Sequence, residues 1–337
     1  MKNLINILSV ILGVMAALAS CHREDTPYDD IPQDAGRAIE FAGISASVDT
    51  KDAGDDELPI AGFKVWASRT VTIDGEQESA YDIFTEDGVA VTGSNSDGTI
   101  AWKYSPVRYW QPGDYDFIAV TPSAMNGTLS DEGLSLDFGD DGWNISEDQT
   151  DLLLAVSPGV SGEDHFNTGS APDPVTLSFT HQLALVKFSA RNIYVDKGVK
   201  ITVTGIKIHG QKTVATEMTY DQTAAWTLSD GTGEQAQSSL ESLVTNDTDA
   251  YSEISSGVLV FPQKCESVTV ELTFSDEYDG VATTGNVKSA TISAPEWKAG
   301  KKYEYNIHIG FDRISIGDIT VTDWVDGSEI APGLDEF

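Results

Sequence analysis

The chain has 337 residues, enough for about two domains that each bury a core of their own, so a single small disulfide-stapled module is excluded. Lys and Arg total 20 against 54 Asp and Glu, a formal net charge of −34 at pH 7, and a field of that sign repels phosphate backbones and argues against nucleic acid as a partner. With 40% hydrophobic and 9% aromatic residues the chain is too apolar for a disordered acidic polymer, and 30 glycines among abundant Thr, Ser, Asp and Val suit many short strands joined by turns.

Residues 1–20 carry one charge, Lys2, and an apolar stretch from Leu4 to Leu18 interrupted by Asn6, Ser9 and Gly13. This is the pattern of a secretory signal, too short in its apolar region for a stable membrane span. It runs into Leu18-Ala19-Ser20-Cys21, which resembles the lipobox of bacterial lipoproteins. That resemblance implies cleavage before Cys21, acylation of its thiol, palmitate included, and a surface-exposed lipoprotein on the outer membrane. An ordinary signal peptide with an incidental cysteine is the alternative. The chain has only two cysteines, so with Cys21 acylated Cys265 has no intramolecular partner and no disulfide framework holds the fold. Cys265, directly before an alternating strand, is expected as a packed or unpaired thiol. Residues 21–37, beginning with the polar Cys21-His22-Arg23-Glu24-Asp25, read as a flexible tether.

Beyond the tether, apolar positions recur every second residue, the period of a half-buried strand. Ile39 and Phe41 share one parity and Ile44, Ala46 and Val48 the other, which predicts a strand bulged at Gly43. Further strands are predicted at Phe63-Lys64-Val65-Trp66, at 100–104 and at 115–120, with an aromatic-led turn at Tyr109-Trp110-Gln111-Pro112-Gly113. The run Asp151-Leu152-Leu153-Leu154-Ala155 fits either a doubly buried strand or a core helical turn.

From Ser157 to Pro174 the chain is rich in Pro and Gly and loses its period. The expected organisation is therefore a first β-sandwich at 38–160, a linker at 161–174 and a second β-sandwich at 175–337. The second half is expected to include strands at 175–179, 201–208, 258–261 and 268–274. Tyr303, Tyr305, Ile307, Ile309 and Phe311 form another alternating set. The last segment carries Ile314 and Ile316, an interruption at Gly317-Asp318, then Ile319 and Val321 with Trp324 just beyond, which reads as two short strands with a parity switch.

No constellation for catalysis stands out, and no enzyme is expected. The five histidines lack the paired spacing of a metal site, and His181 and His308 sit inside alternating strands as locally hydrogen-bonded residues. Ser161 lies in a segment that lacks the second glycine of a nucleophile elbow. The acidic stretch 137–148 places Asp137, Asp141 and Asp148 near positions used by a twelve-residue calcium loop, but Gly139 cannot supply a side-chain ligand, Asp148 is short for the final position, and an acidic surface turn is the plainer reading. Paired carboxylates carry no weight among 54 acids. Trp66, Trp102, Trp110 and Trp143 could stack on sugars, although tryptophans on alternating strands are mostly core. No cofactor is implied.

Several segments in order resemble the fimbrillin family of Bacteroidetes, pilus subunits and their tip or anchor proteins. They are the lipobox through Cys21, Phe63-Lys64-Val65-Trp66-Ala67, Tyr109-Trp110-Gln111-Pro112-Gly113 with Tyr115-Asp116-Phe117, and Asp151-Leu152-Leu153-Leu154-Ala155. The series continues through 177–186, Val260-Phe261-Pro262-Gln263, Trp297-Lys298-Ala299-Gly300-Lys301-Lys302-Tyr303-Glu304-Tyr305 and 314–324. The resemblance implies an all-β chain with two tandem transthyretin-like antiparallel β-sandwich domains behind a lipoprotein signal peptide, export to the cell surface, and assembly into a fimbrium by strand exchange. Its implied partners are other fimbrillin-like subunits, the outer membrane through the lipid anchor, and a host or bacterial surface receptor. The donor strand would be 314–324, with Ile314, Ile316, Ile319, Val321 and Trp324 as its apolar row. An arginine-specific protease cuts stalk subunits of the family near the first strand, and here Arg37 and Arg69 are the nearby candidates, leaving stalk, tip and anchor roles open. A surface glycan-binding lipoprotein is the competing reading, with an acidic secreted hydrolase third.

Overall fold

The computed structural model describes residues 37–45, 62–81, 83–96, 99–166, 173–194, 198–244 and 250–324. The chain opens with β1 Phe41–Ser45, β2 Gly62–Ile73, β3 Glu76–Ala80, β4 Val89–Ser96, β5 Thr99–Lys103 and β6 Asp114–Thr121. A hairpin of β7 Gly127–Ser130 and β8 Gly133–Asp137 follows, then β9 Trp143–Asn144 and β10 Leu153–Ser161. The short helix α1 Gly162–Phe166 leads towards β11 Val175–His181. The remainder is β12 Ala184–Asn192, β13 Lys200–His209, β14 Val214–Asp221, β15 Thr223–Leu228, β16 Glu234–Val244, β17 Ser252–Glu253, β18 Val258–Val260 and β19 Gln263–Lys264. It closes with β20 Ser267–Tyr278, β21 Val281–Ser293, β22 Glu296–Trp297, β23 Lys301–Ile309 and β24 Ile314–Asp323.

The strands divide among three cores. The first sheet runs β1-β11-β10-β6-β2-β4-β5, with β3 added to β2. Side chains alternate across a strand, so Phe63 and Val65, Phe117 and Ala119, Leu153 and Ala155, and Leu177 and Phe179 all face one core. The sheet curls round that core. Ile39 N donates to Arg108 O at 2.9 Å, Trp110 N to Arg37 O at 2.8 Å and the Tyr104 hydroxyl to Ile39 O at 2.8 Å, which ties the approach to β1 to the segment after β5.

The opposite face of the same sheet presents Trp66, Val120, Leu152 and Leu154 to a second core. That core is covered by a sheet in the order β15-β14-β8-β7, with β9 paired to β14. From Leu153 the run 151–155 is thus the doubly buried strand of the two forms its sequence allowed. Met218 lies directly opposite Leu136, so the covering sheet joins a hairpin from the first half of the chain to one from the second.

A third core fills a sandwich of two sheets. One contains β17-β12-β23-β24 with β18 on β12, and the other β16-β13-β20-β21. Val268, Val270, Leu272 and Phe274 face Tyr303, Tyr305, Ile307 and Ile309 across it, as their alternation predicts. Among the described residues, pairing is antiparallel except between β1 and β11 and between β12 and β23.

Three expectations are corrected. The segment 161–174 does not separate two sheets, because β11 pairs with β10 and β1 and gives Val175, Leu177 and Phe179 to the first core. The Pro- and Gly-rich stretch is a connection between neighbouring strands, and the first sheet extends to His181. Phe311 does not continue the row of Tyr303 to Ile309: it lies in the turn after β23 and is 83% exposed. The final segment is one strand carrying a bulge, where two short strands were expected. The bulge predicted at Gly43 is present as a register shift between Ala42 and Ser45, and Ala46 and Val48 lie outside the described residues.

Candidate assembly edge

Among the described residues β24 is the edge of its sheet, paired antiparallel to β23 alone. Ile314 faces Ile309 and Ile316 faces Ile307, both directed to the third core. Gly317 and Asp318 then stand opposite Asn306, two residues against one, and this bulge absorbs the parity switch seen in the sequence. Beyond it Ile319 faces Tyr305 and Val321 faces Tyr303. Directly opposed residues share a face, so the four apolar side chains form one row on the core side of the sheet. The row is unevenly buried: Ile314 is 4% exposed, whereas Ile319 and Val321 are 48% and 52% exposed. β24 lies against β21, the edge strand of the facing sheet, so both sheets end on that side of the sandwich.

Trp324 leaves the row. Its indole lies on the imidazole of His181, with ring centroids 3.5 Å apart and planes 6° from parallel, and it packs against the second core. His181 Nδ1 is paired with the carboxylate of Asp151, which enters β10. His308, on β23, is held through Nε2 by the Tyr251 hydroxyl at 2.7 Å. Both histidines are hydrogen-bonded within the sheets, as their strand positions suggested.

Arg69 lies inside β2, opposite Ala80 on one side and Tyr115 on the other, and its guanidinium reaches Gln111. Arg37 precedes β1, and its carbonyl accepts the Trp110 N–H. Cys21 and the preceding signal lie outside the described residues. In the acidic stretch 137–148 the first and last carboxylates serve turns: Asp137 Oδ1 accepts Gly139 N at 2.8 Å, and Asp148 Oδ1 accepts Thr150 N at 3.0 Å. Among the described residues no group of three or more His, Cys, Asp or Glu side chains could hold a metal ion. Cys265 is 7% exposed in the third core, where burial pushes its thiol pKa up, against nucleophilic use. Trp66, Trp110 and Trp143 are buried and Trp102 is half-buried, so none of these four offers an open platform for a sugar ring.

The sequence did not point to the Asp151–His181–Trp324 cluster. Its members are far apart along the chain, and the pairings of β10 with β11, β12 with β23 and β23 with β24 bring them together. A histidine closing an alternating strand and a tryptophan just beyond another were the available signals, and neither names the other.

No curated protein matches the chain. Among solved structures, a fimbrial protein from Bacteroides vulgatus aligns with a TM-score of 0.57 at 15% identity, over 86% of this chain and 100% of its own. A candidate cell adhesion protein from Bacteroides ovatus aligns with a TM-score of 0.51 at 16% identity, over 87% of this chain and 99% of its own. At such identities the likeness is one of fold. A family profile described as fimbrillin-like matches residues 61–324, from the approach to β2 through to Trp324. The match takes in the second and third cores, the first core apart from Ile39 and Phe41, and the edge strand, and the chain belongs to the fimbrillin-like family.

Proposed function

We propose that the chain is a subunit of a cell-surface fimbrium, exported as a lipoprotein acylated at Cys21, that joins other fimbrillin-like subunits by donating β24 to a neighbour's sheet. Its family is one of structural, non-enzymatic proteins of pilus-related adhesion. The observation that carries the reading is the half-exposure of Ile319 and Val321 on an edge strand. Natural edges are usually blunted by lysine, proline or a bulge. β24 contains no lysine or proline, and its one bulge lies near its middle. Beyond that bulge it gains little from its own sandwich, because its side chains there are largely exposed. In a groove covered on both sides the same row would be fully buried, which stabilises by about 1.5–3 kcal/mol for a whole aliphatic side chain and by roughly half that for one already half-covered. Departure of β24 would leave the edge of β23 free to receive a strand in turn.

The test replaces Ile319 and Val321 together by Asp. The monomer's melting temperature should shift little, as expected for exposed positions, while fibre yield seen by electron microscopy should collapse. A large loss of monomer stability would defeat the donor-strand reading. Mass spectrometry of the mature N-terminus tests the anchor, and an unmodified Cys21 on protein released to the medium would remove that part of the proposal.

A further inference from the structure

From Gly317 to Asp323 no side chain of β24 is buried. This stretch rests on backbone pairing with β23 and on an ion pair between Lys301 and Asp323, both solvent-accessible. Exposed pairs of this kind contribute little. Ahead of the bulge, Ile314 and Ile316 are set in the third core; after it, the next side chain packed against a core is Trp324, and that core is the second. Trp324 N donates to Gly300 O at 2.9 Å and Gly300 N to Leu183 O at 2.9 Å, so the backbone repeats the link made by the rings. His181 is 6% exposed and closes β11 in the first sheet, where Asp151 fixes its imidazole. The strand is therefore paired to one sheet and pinned, at its far end, to another.

We infer that residues 317–324 form a detachable strap, hinged at the Gly317–Asp318 bulge and latched by the Trp324 indole on His181, and that the latch keeps β24 on its own sheet until a neighbouring subunit takes it. The strap's role in assembly rests on the strand-exchange reading above; its mechanics do not. Local opening costs only the interactions that the opening itself breaks. For this stretch they include one row of backbone hydrogen bonds, the exposed Lys301–Asp323 ion pair, two half-covered aliphatic side chains, and the Trp324 indole's stack on His181 with its packing against the second core. Releasing the stack frees the strap without disturbing Ile314, so opening stops at the bulge.

Hydrogen exchange of the purified chain, read by mass spectrometry, tests the latch. In Trp324→Ala, exchange across 317–323 should rise about tenfold, the scale of one aromatic stack, while β13 and β20 stay unchanged. Trp324→Phe keeps a flat ring over His181 and should restore most of the protection. Unchanged exchange at 317–323, an equal rise in every strand, or a Phe variant as open as the Ala variant would each overturn the latch. The Ile319/Val321 double variant separates the two ideas. If it stops assembly while Trp324→Ala leaves exchange unchanged, strand exchange stands and the latch fails. If it assembles normally while Trp324→Ala opens the strap, the latch stands and strand exchange fails.

Discussion

Gly317 lies under the imidazole of His308: a Cβ added there would meet both Cε1 and Nε2 at 3.1 Å and the carbonyl oxygen of Asn306 at 3.3 Å. The hinge of β24 is thus a close approach between its backbone and a side chain of the neighbouring strand.

Gly317→Ala should therefore destabilise the chain by about 1 kcal/mol, the low end of the cost of overpacking. Because the ring can yield and the Asn306 carbonyl cannot, adding His308→Ala should recover only part of the loss. A double-mutant cycle by urea unfolding measures this. Full additivity would show that the ring is not what Gly317 accommodates.

The same histidine gives a pH dependence with a definite sign. Burial lowers the His308 pKa, the nearby Arg191 lowers it further, and Asp318 opposes them. A histidine whose pKa is lower when folded than when unfolded favours folding in its neutral form. Its contribution is complete above the unfolded value of about 6.5 and is lost as pH falls through 6.5 towards the lower folded value. In the neutral ring Nε2 can accept the Tyr251 hydroxyl, a role that protonation ends. Melting temperatures at pH 7.5 and pH 5 should differ more for the wild type than for His308→Gln. An identical pH response in the two would refute the assignment.

Arg69 and Arg37 make opposite predictions for processing. Proteases need an extended, unpaired backbone, and Arg69 is paired on both sides within β2. Arg37 lies ahead of β1, where the backbone hydrogen bond from Trp110 N to its carbonyl ties it on one side. Under an arginine-specific protease Arg37→Lys should abolish native cleavage near the first strand, and Arg69→Lys should leave it intact. N-terminal sequencing that finds a mature start at Thr70 would contradict this.

Much of this architecture is legible in the residues, and the illegible part has one cause. Alternation tells which side chains share a face, so the rows 268–274 and 303–309, the bulge at Gly43 and the parity switch at Gly317 could all be read directly. Period does not say which core a face meets. Leu152 and Leu153 look alike in sequence yet enter different cores. β11 carries the alternation of any strand, and nothing in Val175-Thr176-Leu177-Ser178-Phe179 assigns it to the sheet before the Pro- and Gly-rich stretch instead of the one after it. Phe311 keeps the parity of its predecessors but follows Gly310, where the chain turns and the strand has ended. The apolar row of β24 was visible, whereas the exposure of its second half depends on tertiary packing that alternation does not encode.

The covering sheet leads to the last prediction, because it makes the two halves of the chain depend on each other. Met218 on β14 is fully buried and faces Leu136 on β8. The second core around them also takes Trp66, Val120 and Leu154 from the first sheet and Leu183, Leu259 and Phe261 from the second half. Met218→Ala would remove a buried thioether chain at a cost of about 2–5 kcal/mol. If each half were an independent unit, that cost would fall on one of them and leave the other's transition in place. A core shared in this way should instead transmit it. The wild type should unfold in urea as one cooperative transition, and Met218→Ala should lower the midpoint equally for the amides of β6 and β10 and for those of β13 and β20. A variant in which the third core keeps its wild-type midpoint while the first sheet melts early would show that the sandwich stands alone, and that the β8–β14 pairing joins two domains without coupling them.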